Sequence, residues 1–309
     1  MDKCISGKIN NCFKQLTKIG ALLNEPMCKH TSFRIGGKAD ILVSPRNENE
    51  LLYCLNCSLE NDVPVFVMGN GTNLLVSDKG IRGIVIKLRS AEPHIVFDKD
   101  KFIMTVSADT LLCYAAKKSI EEGFMGLEWA AGVPGTIGGA ISMNAGAYGG
   151  EIKQNILSVR MIEKNNNSYI IKDCHIQDND LGYRYSRFSF PNSIITQAVF
   201  KLAPDDGNAY SRMKDFEERR ISKQPLDLPS AGSTFKRPQN AYAGAEIERA
   251  GLKGFSYGGA SVSEKHAGFI VNSNNATFDD VINLIQIVKQ RVYENSGIKL
   301  TEEIKIIGG

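Results

Sequence analysis

Long apolar runs are missing from this chain. No stretch of 18 apolar residues occurs among its 309 residues, so no membrane-spanning helix is expected. Excess charge of either sign is missing too. Against 34 acidic residues stand 37 Lys and Arg, a net charge of only +3. That balance gives no global field for nucleic acid or a membrane surface, so any anionic ligand must be met by local charges. Histidine is scarce: His30, His94, His175 and His266 have no companions at metal-ligand spacing, and no metal is expected. No glycine-rich turn is followed by Lys-Ser or Lys-Thr, which excludes a P-loop. The opening MDKCISGKINNCFKQLTKIG is too polar for a signal peptide. Repeats and low-complexity segments are also absent.

Seven cysteines (Cys4, Cys12, Cys28, Cys54, Cys57, Cys113 and Cys174) form an odd set without regular spacing. Free thiols in a reducing cytoplasm are the expectation. The one CxxC, Cys54 to Cys57, falls in an amphipathic helical pattern and has no second pair to complete a zinc site. It reads as packed thiols, not as a redox or metal pair.

What is present is a chain of 42% apolar and 23% charged residues, long enough for two or three domains. Short apolar runs at Ile41–Val43 and Val65–Met68 flank a helical stretch from Asn47 to about Leu59, with Asn47 and Glu50 as a capping box. This β-α-β order predicts a parallel pair. Strands are expected around Ile84–Leu88, Ile103–Ala108, Val159–Glu163, Tyr169–Lys172 and Ile194–Leu202, and a helix over Thr110–Glu122. Pro204 to Asn208 reads as a linker, followed by a charged helix over Tyr210–Lys223. A last helix should start at Thr277, carry Val281, Leu284, Ile285, Val288 and Val292 inward, and stop at Gly297. A strand from Ile298 to Ile307 closes the pattern.

Glycine is concentrated. Between Gly132 and Gly150, GVPGTIGGAISMNAGAYGG holds seven glycines, and a second turn, Gly69-Asn70-Gly71-Thr72-Asn73-Leu74, follows an apolar strand. The second turn starts like a dinucleotide fingerprint but has Leu74 where the last glycine belongs. Successive backbone N–H groups in such turns form anion-binding concavities, and missing Cβ atoms let a pyrophosphate approach. Tight turns and close packing are the plainer use of the same glycines.

GNGTNLLV, AAGVPGTIGGAISMNAGAYGGE, YRYSRF, AGSTFKRP, AGLKGFSYGGASVSEKHAGFIVN and LTEEIKIIG occur in this order. Together they resemble the UDP-N-acetylenolpyruvoylglucosamine reductases of bacterial cell-wall synthesis, from about His30 to Gly308. The resemblance implies an α+β chain: a two-subdomain FAD-binding fold of the vanillyl-alcohol-oxidase/PCMH type, plus a C-terminal α+β substrate-binding domain. The ranges would be 1–30 for an N-terminal helix and connector, 31–203 for FAD binding and 204–309 for substrate. It implies non-covalent FAD, NADPH as co-substrate and UDP-N-acetylglucosamine enolpyruvate as substrate. The expected setting is a cytoplasmic monomer in peptidoglycan synthesis, without nucleic acid or membrane partners. The shorter form of the family is indicated, because Pro191–Ile195 leads straight into a strand and leaves little room for a lid-tyrosine loop.

By the same resemblance Ser233 would donate a proton to the enolate left by hydride addition. Arg184 would polarise the substrate carboxylate, with Arg187 the alternative if register slips, and Glu303 would sit beside the enolate. Unaided, Ser233 reads as a turn hydroxyl and Arg184 as a surface arginine. Alternation complicates the glutamate: Ile298, Leu300, Glu302, Ile304 and Ile306 share one face, and Glu303 shares the other with Lys299, Thr301 and Lys305. The flavin contacts would be Gly69, Asn70, Gly71, Thr72, Asn73 and Leu74 in one turn. In the other they would be Gly132, Val133, Pro134, Gly135, Thr136, Gly138, Gly139 and Ala140, then Asn144, Ala145 and Gly146. Arg219, Lys223, Lys236 and His266 would meet the substrate, although a solvated helix face and a structural histidine are the plainer readings. Two other classes compete: a flavin-dependent oxidase of the same fold, and a non-catalytic nucleotide-binding protein. The oxidases often tether FAD through a histidine, which neither glycine turn contains.

Overall fold

A computed structural model of the chain describes residues 3–89 and 94–308, with side chains from Gly7 onward, so Cys4 lies outside the described side chains. Two compact units emerge. The first comprises Met1–Leu23, Asp40–Asn70 and Gly83–Arg219, the second Asn24–Ala39, Gly71–Arg82 and Arg220–Gly309.

In the first unit, helix α1 (Lys3–Leu16) packs with helix α2 (Glu48–Asn61). Asn47 caps α2 by accepting the Glu50 N–H at 2.9 Å, but the box is only half built. The Glu50 carboxylate turns to the Arg46 N–H at 2.8 Å, one residue before the cap. Asp62, in the left-handed region at φ 50°, ends the helix. The inner face of α2 carries Leu51, Cys54, Leu55 and Cys57 against Ile9, Cys12 and Leu16 of α1 and Ile41, Val43, Ile84 and Ile86 of the neighbouring strands. The CxxC is thus two core thiols on one helix, and burial pushes both up to about 12.

The expected β-α-β neighbours are not adjacent. The sheet runs Leu22–Pro26, Lys38–Val43, Ile81–Lys87, Val65–Met68, and the parallel partner of Val65–Met68 is Ile81–Lys87. Gly83 makes this insertion possible. Its φ is +94°, a Cβ there would stand 2.2 Å from the Pro64 carbonyl, and its N–H donates to the buried Asp40 carboxylate at 2.8 Å.

A second sheet in this unit is antiparallel throughout, in the order Ser168–His175, Ile156–Asn165, Ser193–Lys201, Ile103–Ser107, Ile95–Asp98. Helix α3 (Leu112–Glu121) and the short helix α4 (Ile137–Ile141) bury Leu112, Ala115, Ala116, Ile137 and Ile141 in the same core as Met104, Val106, Ala198 and Phe200. Thr136 caps α4 through Gly139 N–H, and the Ile137 and Gly138 amides donate to Thr110 and Ala108 carbonyls at 2.8 Å each. Helix α5 (Ala209–Lys223) begins in this unit and ends in the other.

The second unit holds an antiparallel sheet in the order Ser230–Ser233, Phe269–Asn272, Ala260–Val262, Ser256–Tyr257. Helices α6 (Ala243–Arg249) and α7 (Phe278–Ser296) complete its core. Thr277 and Asp280 form the full reciprocal capping box of α7, and Gly297 at φ 71° stops it. The five expected inward positions are buried. Phe33, Ile35 and Leu75 join this core from early parts of the chain.

The closing strand is shorter than its alternation suggests. Only Lys305–Ile307 is a strand, parallel to Leu74–Val76. Residues 298–304 are held by single contacts instead, with Glu302 bridging Phe235. Leu300 and Ile304 are buried as the pattern requires, but Ile306 is exposed, because pairing in the last three residues turns it outward.

Candidate active site

Ser233 ends the strand Ser230–Ser233, where the pairing register shifts between Ser230↔Val271 and Ser233↔Phe269. Gly232, at φ +79°, supplies the left-handed residue that such a shift needs. The serine is exposed and the next side chain, Thr234, is buried. Thr234 is fully engaged: its N–H donates to Gly268 O at 2.9 Å and its hydroxyl accepts from Ile270 N–H at 3.0 Å. Its carbonyl accepts the Glu303 N–H at 2.8 Å.

That last bond ties the backbone of the Glu303 segment to the residue after Ser233. Glu303 is also held through its carbonyl, which accepts from Asn73 Nδ2 at 3.3 Å, and Lys305 N–H returns to Asn73 O at 2.9 Å. The second half of one glycine turn therefore braces the glutamate segment. Glu302 goes the other way. Between buried Leu300 and Ile304, its carboxylate accepts from Lys289 Nζ of α7 at 2.8 Å. The glutamate on the apolar side of the alternation thus has a structural partner in α7.

Arg184 lies in the first unit. It occupies the two-residue turn with Tyr183 that joins the paired Leu181–Gly182 and Tyr185–Ser186. Its φ is 52°, its guanidinium lies 5.1 Å from the Tyr183 ring centroid, and Nη2 donates to Gly146 O at 3.4 Å. Arg187 is built for another purpose. Nε pairs with buried Asp180 at 2.5 Å and Nη2 donates to Cys174 Sγ at 2.8 Å.

The glycine turns meet inside the first unit. A Cβ on Gly69 would stand 2.3 Å from Thr136 Oγ1, and Asn70 Nδ2 donates to Pro134 O at 3.0 Å. Here the close approach of the Thr136 side chain leaves no room for a Cβ. Elsewhere in the Gly132–Gly150 stretch several glycines serve internal packing: Gly138 faces Ala108, Gly146 faces Gly150 and Glu151, and Gly150 lies under Trp129. Of the other expected flavin contacts, Ala140 and Ala145 are buried and bonded to each other through Ala145 N–H to Ala140 O at 2.8 Å. Val133 N–H returns to Ala130 O at 2.9 Å. Gly71, Thr72, Asn73 and Leu74 belong to the second unit, with Ser233, Glu303, Lys223, Lys236 and His266. Arg219 belongs to the first and pairs with Asp215 one turn back at 2.7 Å.

His266 is held rigidly. Nδ1 accepts the Gly268 N–H at 3.0 Å, and its ring meets Phe269 edge-on at 5.0 Å. A Cβ on Gly244 or Gly268 would stand 3.1 or 2.9 Å from its Cε1. Burial pulls its pKa below the ordinary value. Lys236 N–H donates to Thr301 O at 2.8 Å, so its backbone is part of the bracket around Glu303. Arg237 stacks on Tyr242 at 4.0 Å. Sequence reasoning missed Thr234 and Lys289: Thr234 stands inside AGSTFKRP with nothing to mark it as a bridge, and Lys289 lies on α7 outside every matched motif.

Residues 39–168 match the FAD-binding domain family. Residues 224–307 match the C-terminal domain of UDP-N-acetylenolpyruvoylglucosamine reductase. Among curated proteins, the reductase of that name from Caldanaerobacter subterraneus is 48% identical, over 96% of each chain. That of Alkaliphilus oremlandii is 44% identical, over 96% of this chain and 97% of its own. The chain belongs to the UDP-N-acetylenolpyruvoylglucosamine reductase family. The crystal structure of the Thermus caldophilus reductase matches with a TM-score of 0.75 at 30% identity, covering 93% of this chain and 98% of that one. A reductase of this family is an oxidoreductase of peptidoglycan synthesis. Its α+β architecture joins an FAD-binding domain to the reductase C-terminal domain. The turns at Gly69–Asn70 and Pro134–Thr136 both fall inside the matched FAD-binding domain and are fastened to each other by Asn70 and Thr136, and glycine turns of this kind fit a cofactor diphosphate through their backbone N–H groups. Among the described residues, no helix is long and apolar enough to cross a membrane.

Proposed function

We propose that this chain reduces UDP-N-acetylglucosamine enolpyruvate to UDP-N-acetylmuramate with NADPH as reductant, acting as a cytoplasmic monomer. The observation that supports the reading is the Glu303–Thr234 backbone bond, which ties the Glu303 segment to the residue after Ser233. Bound FAD supplies the hydride chemistry, and the Gly69–Asn70 and Pro134–Thr136 turns would hold its pyrophosphate.

The remaining work falls to side chains. Hydride addition to the terminal enolpyruvyl carbon leaves negative charge beside the substrate carboxylate, as an enolate that takes up one proton. Ser233 donates that proton from Oγ. A serine hydroxyl is a weak acid, so it suits a strongly basic acceptor, and its alkoxide must be relieved by a proton from outside. Glu303 assists that relay. Arg184 binds the carboxylate, where a planar guanidinium gives two parallel hydrogen bonds that a lysine cannot. Arg219, Lys223 and Lys236 meet the diphosphate. His266, half-buried and bonded to its own loop, shapes the second unit.

An anaerobic stopped-flow experiment tests the reading. The holoenzyme is reduced with NADPH and mixed with UDP-N-acetylglucosamine enolpyruvate while flavin absorbance is followed. Rapid reoxidation in the parent, slowed about 100-fold or more in Ser233→Ala with NADPH reduction intact, supports it. Reoxidation only on admitting oxygen would make the chain an oxidase and leave Ser233 as a turn residue.

A further inference from the structure

We propose that Asn144 is a positioning residue for Arg184, fastening the turn that carries the arginine to the glycine-rich segment. The inference rests on the assignment of Arg184 to the substrate carboxylate. Asn144 is 1% exposed. Its Nδ2 donates to Gly182 O and to Glu151 Oε2, both at 3.0 Å, and its Oδ1 accepts the Lys153 N–H at 2.9 Å. An amide has two N–H donors. Both are committed inside the chain, so Asn144 has none left to offer a cofactor.

The place these bonds hold is the base of the Arg184 turn. Gly182 pairs with Tyr185, leaving Tyr183 and Arg184 as the two central residues. Arg184 sits at the second, at φ 52°, where glycine or asparagine is the usual occupant. A large side chain stays in that region only when its surroundings over-determine it. Here they do so from one segment. Asn144 grips the base at Gly182, Gly146 O accepts from Arg184 Nη2 at the tip, and Lys153 Nζ reaches Asp178 O at 2.7 Å just upstream. Asn144 is itself left-handed at φ 45°, a conformation asparagine tolerates better than most residues. Its backbone and its amide thus serve the same geometry.

Two variants test this. Asn144→Gly keeps the left-handed backbone open and deletes the amide. Asn144→Asp keeps the acceptor for Lys153 and removes both donors. Each is made as FAD-loaded holoenzyme, alone and with Arg184→Ala, and assayed for flavin content and for the two half-reactions. The expected result is flavin content and NADPH reduction within about twofold of the parent, with reoxidation by substrate slowed about 10-fold or more. In the Arg184→Ala background the same changes should add less than about twofold, because the side chain they position is gone. Loss of flavin, equal slowing of both half-reactions, or full additivity with Arg184→Ala would overturn the positioning role. Unchanged reoxidation in Arg184→Ala alone would overturn the assignment of Arg184 itself, and the positioning role with it.

Discussion

Lys289 Nζ and Glu302 Oε1 stand 2.8 Å apart, an ion pair between α7 and the segment that carries Glu303. The pair is partly screened by solvent, so its removal should cost no more than about 1 kcal/mol. Glu302→Gln is expected to lower the urea midpoint slightly and leave both half-reactions intact. Glu303→Gln should keep the midpoint and slow flavin reoxidation by substrate, by about 10-fold or more. The opposite pattern would exchange the two roles.

The arginines separate in the same way. Arg187→Ala strands the buried Asp180 carboxylate, which keeps only the Gln177 N–H among the bonds described here. A loss of about 1–2 kcal/mol in urea unfolding is expected, with activity scaling only with the folded fraction. Arg184→Ala should leave unfolding nearly unchanged and raise KM for the substrate while lowering kcat. Equal stability losses in both would argue against the division.

Gly69→Ala places a methyl against Thr136 Oγ1. The two turns must separate, and purified protein should carry much less flavin, read as absorbance relative to protein. Thr136→Ala removes the oxygen that the new methyl meets and should restore part of the binding when combined with Gly69→Ala, at the cost of the α4 N-cap. Full flavin content in Gly69→Ala would show that the turns do not hold the cofactor.

Because burial lowers the folded pKa of His266, the unfolded chain binds the proton more readily. Stability should therefore be complete above the ordinary histidine pKa and decline as pH falls through 6.5 toward the lowered folded value. Chemical denaturation at stepped pH reads this directly. In His266→Gln, whose amide oxygen can still accept from Gly268 N–H, the part of the slope due to His266 should vanish. An unchanged slope would assign it to other groups.

Cys54 and Cys57, buried and with thiols pushed up to about 12, should stay silent to a thiol reagent in the native protein and react on unfolding. Fast native modification at either would restore the redox reading of the CxxC.

Local chemistry in this chain could be read from the sequence, and pairing at a distance could not. Thr277 and Gly297 announced both ends of α7, because caps act within one turn of backbone. Asn47 announced α2, but not that Glu50 would choose the Arg46 amide over the cap. The run Val65–Met68 was visible as a strand, yet its neighbour depended on Gly83 admitting Ile81–Lys87 beside Pro64. The alternation over Ile298–Ile307 suggested a long strand, and fails at Ile306 because the final pairing is with Leu74–Val76. At the site, motif order located Ser233 and Glu303. Only the fold supplied Thr234 as the link between them and Asn144 as a brace of the Arg184 turn.

Phe33, Ile35 and Leu75 fill the core of the second unit from far upstream in the chain. The region after the linker is consequently no transferable cassette. A gene fragment starting at residue 204 would leave vacancies where those three side chains belong, each worth several kcal/mol, roughly 2–5 by analogy with large-to-alanine changes. Recombination that shuffles whole domains at single cut points would break this core.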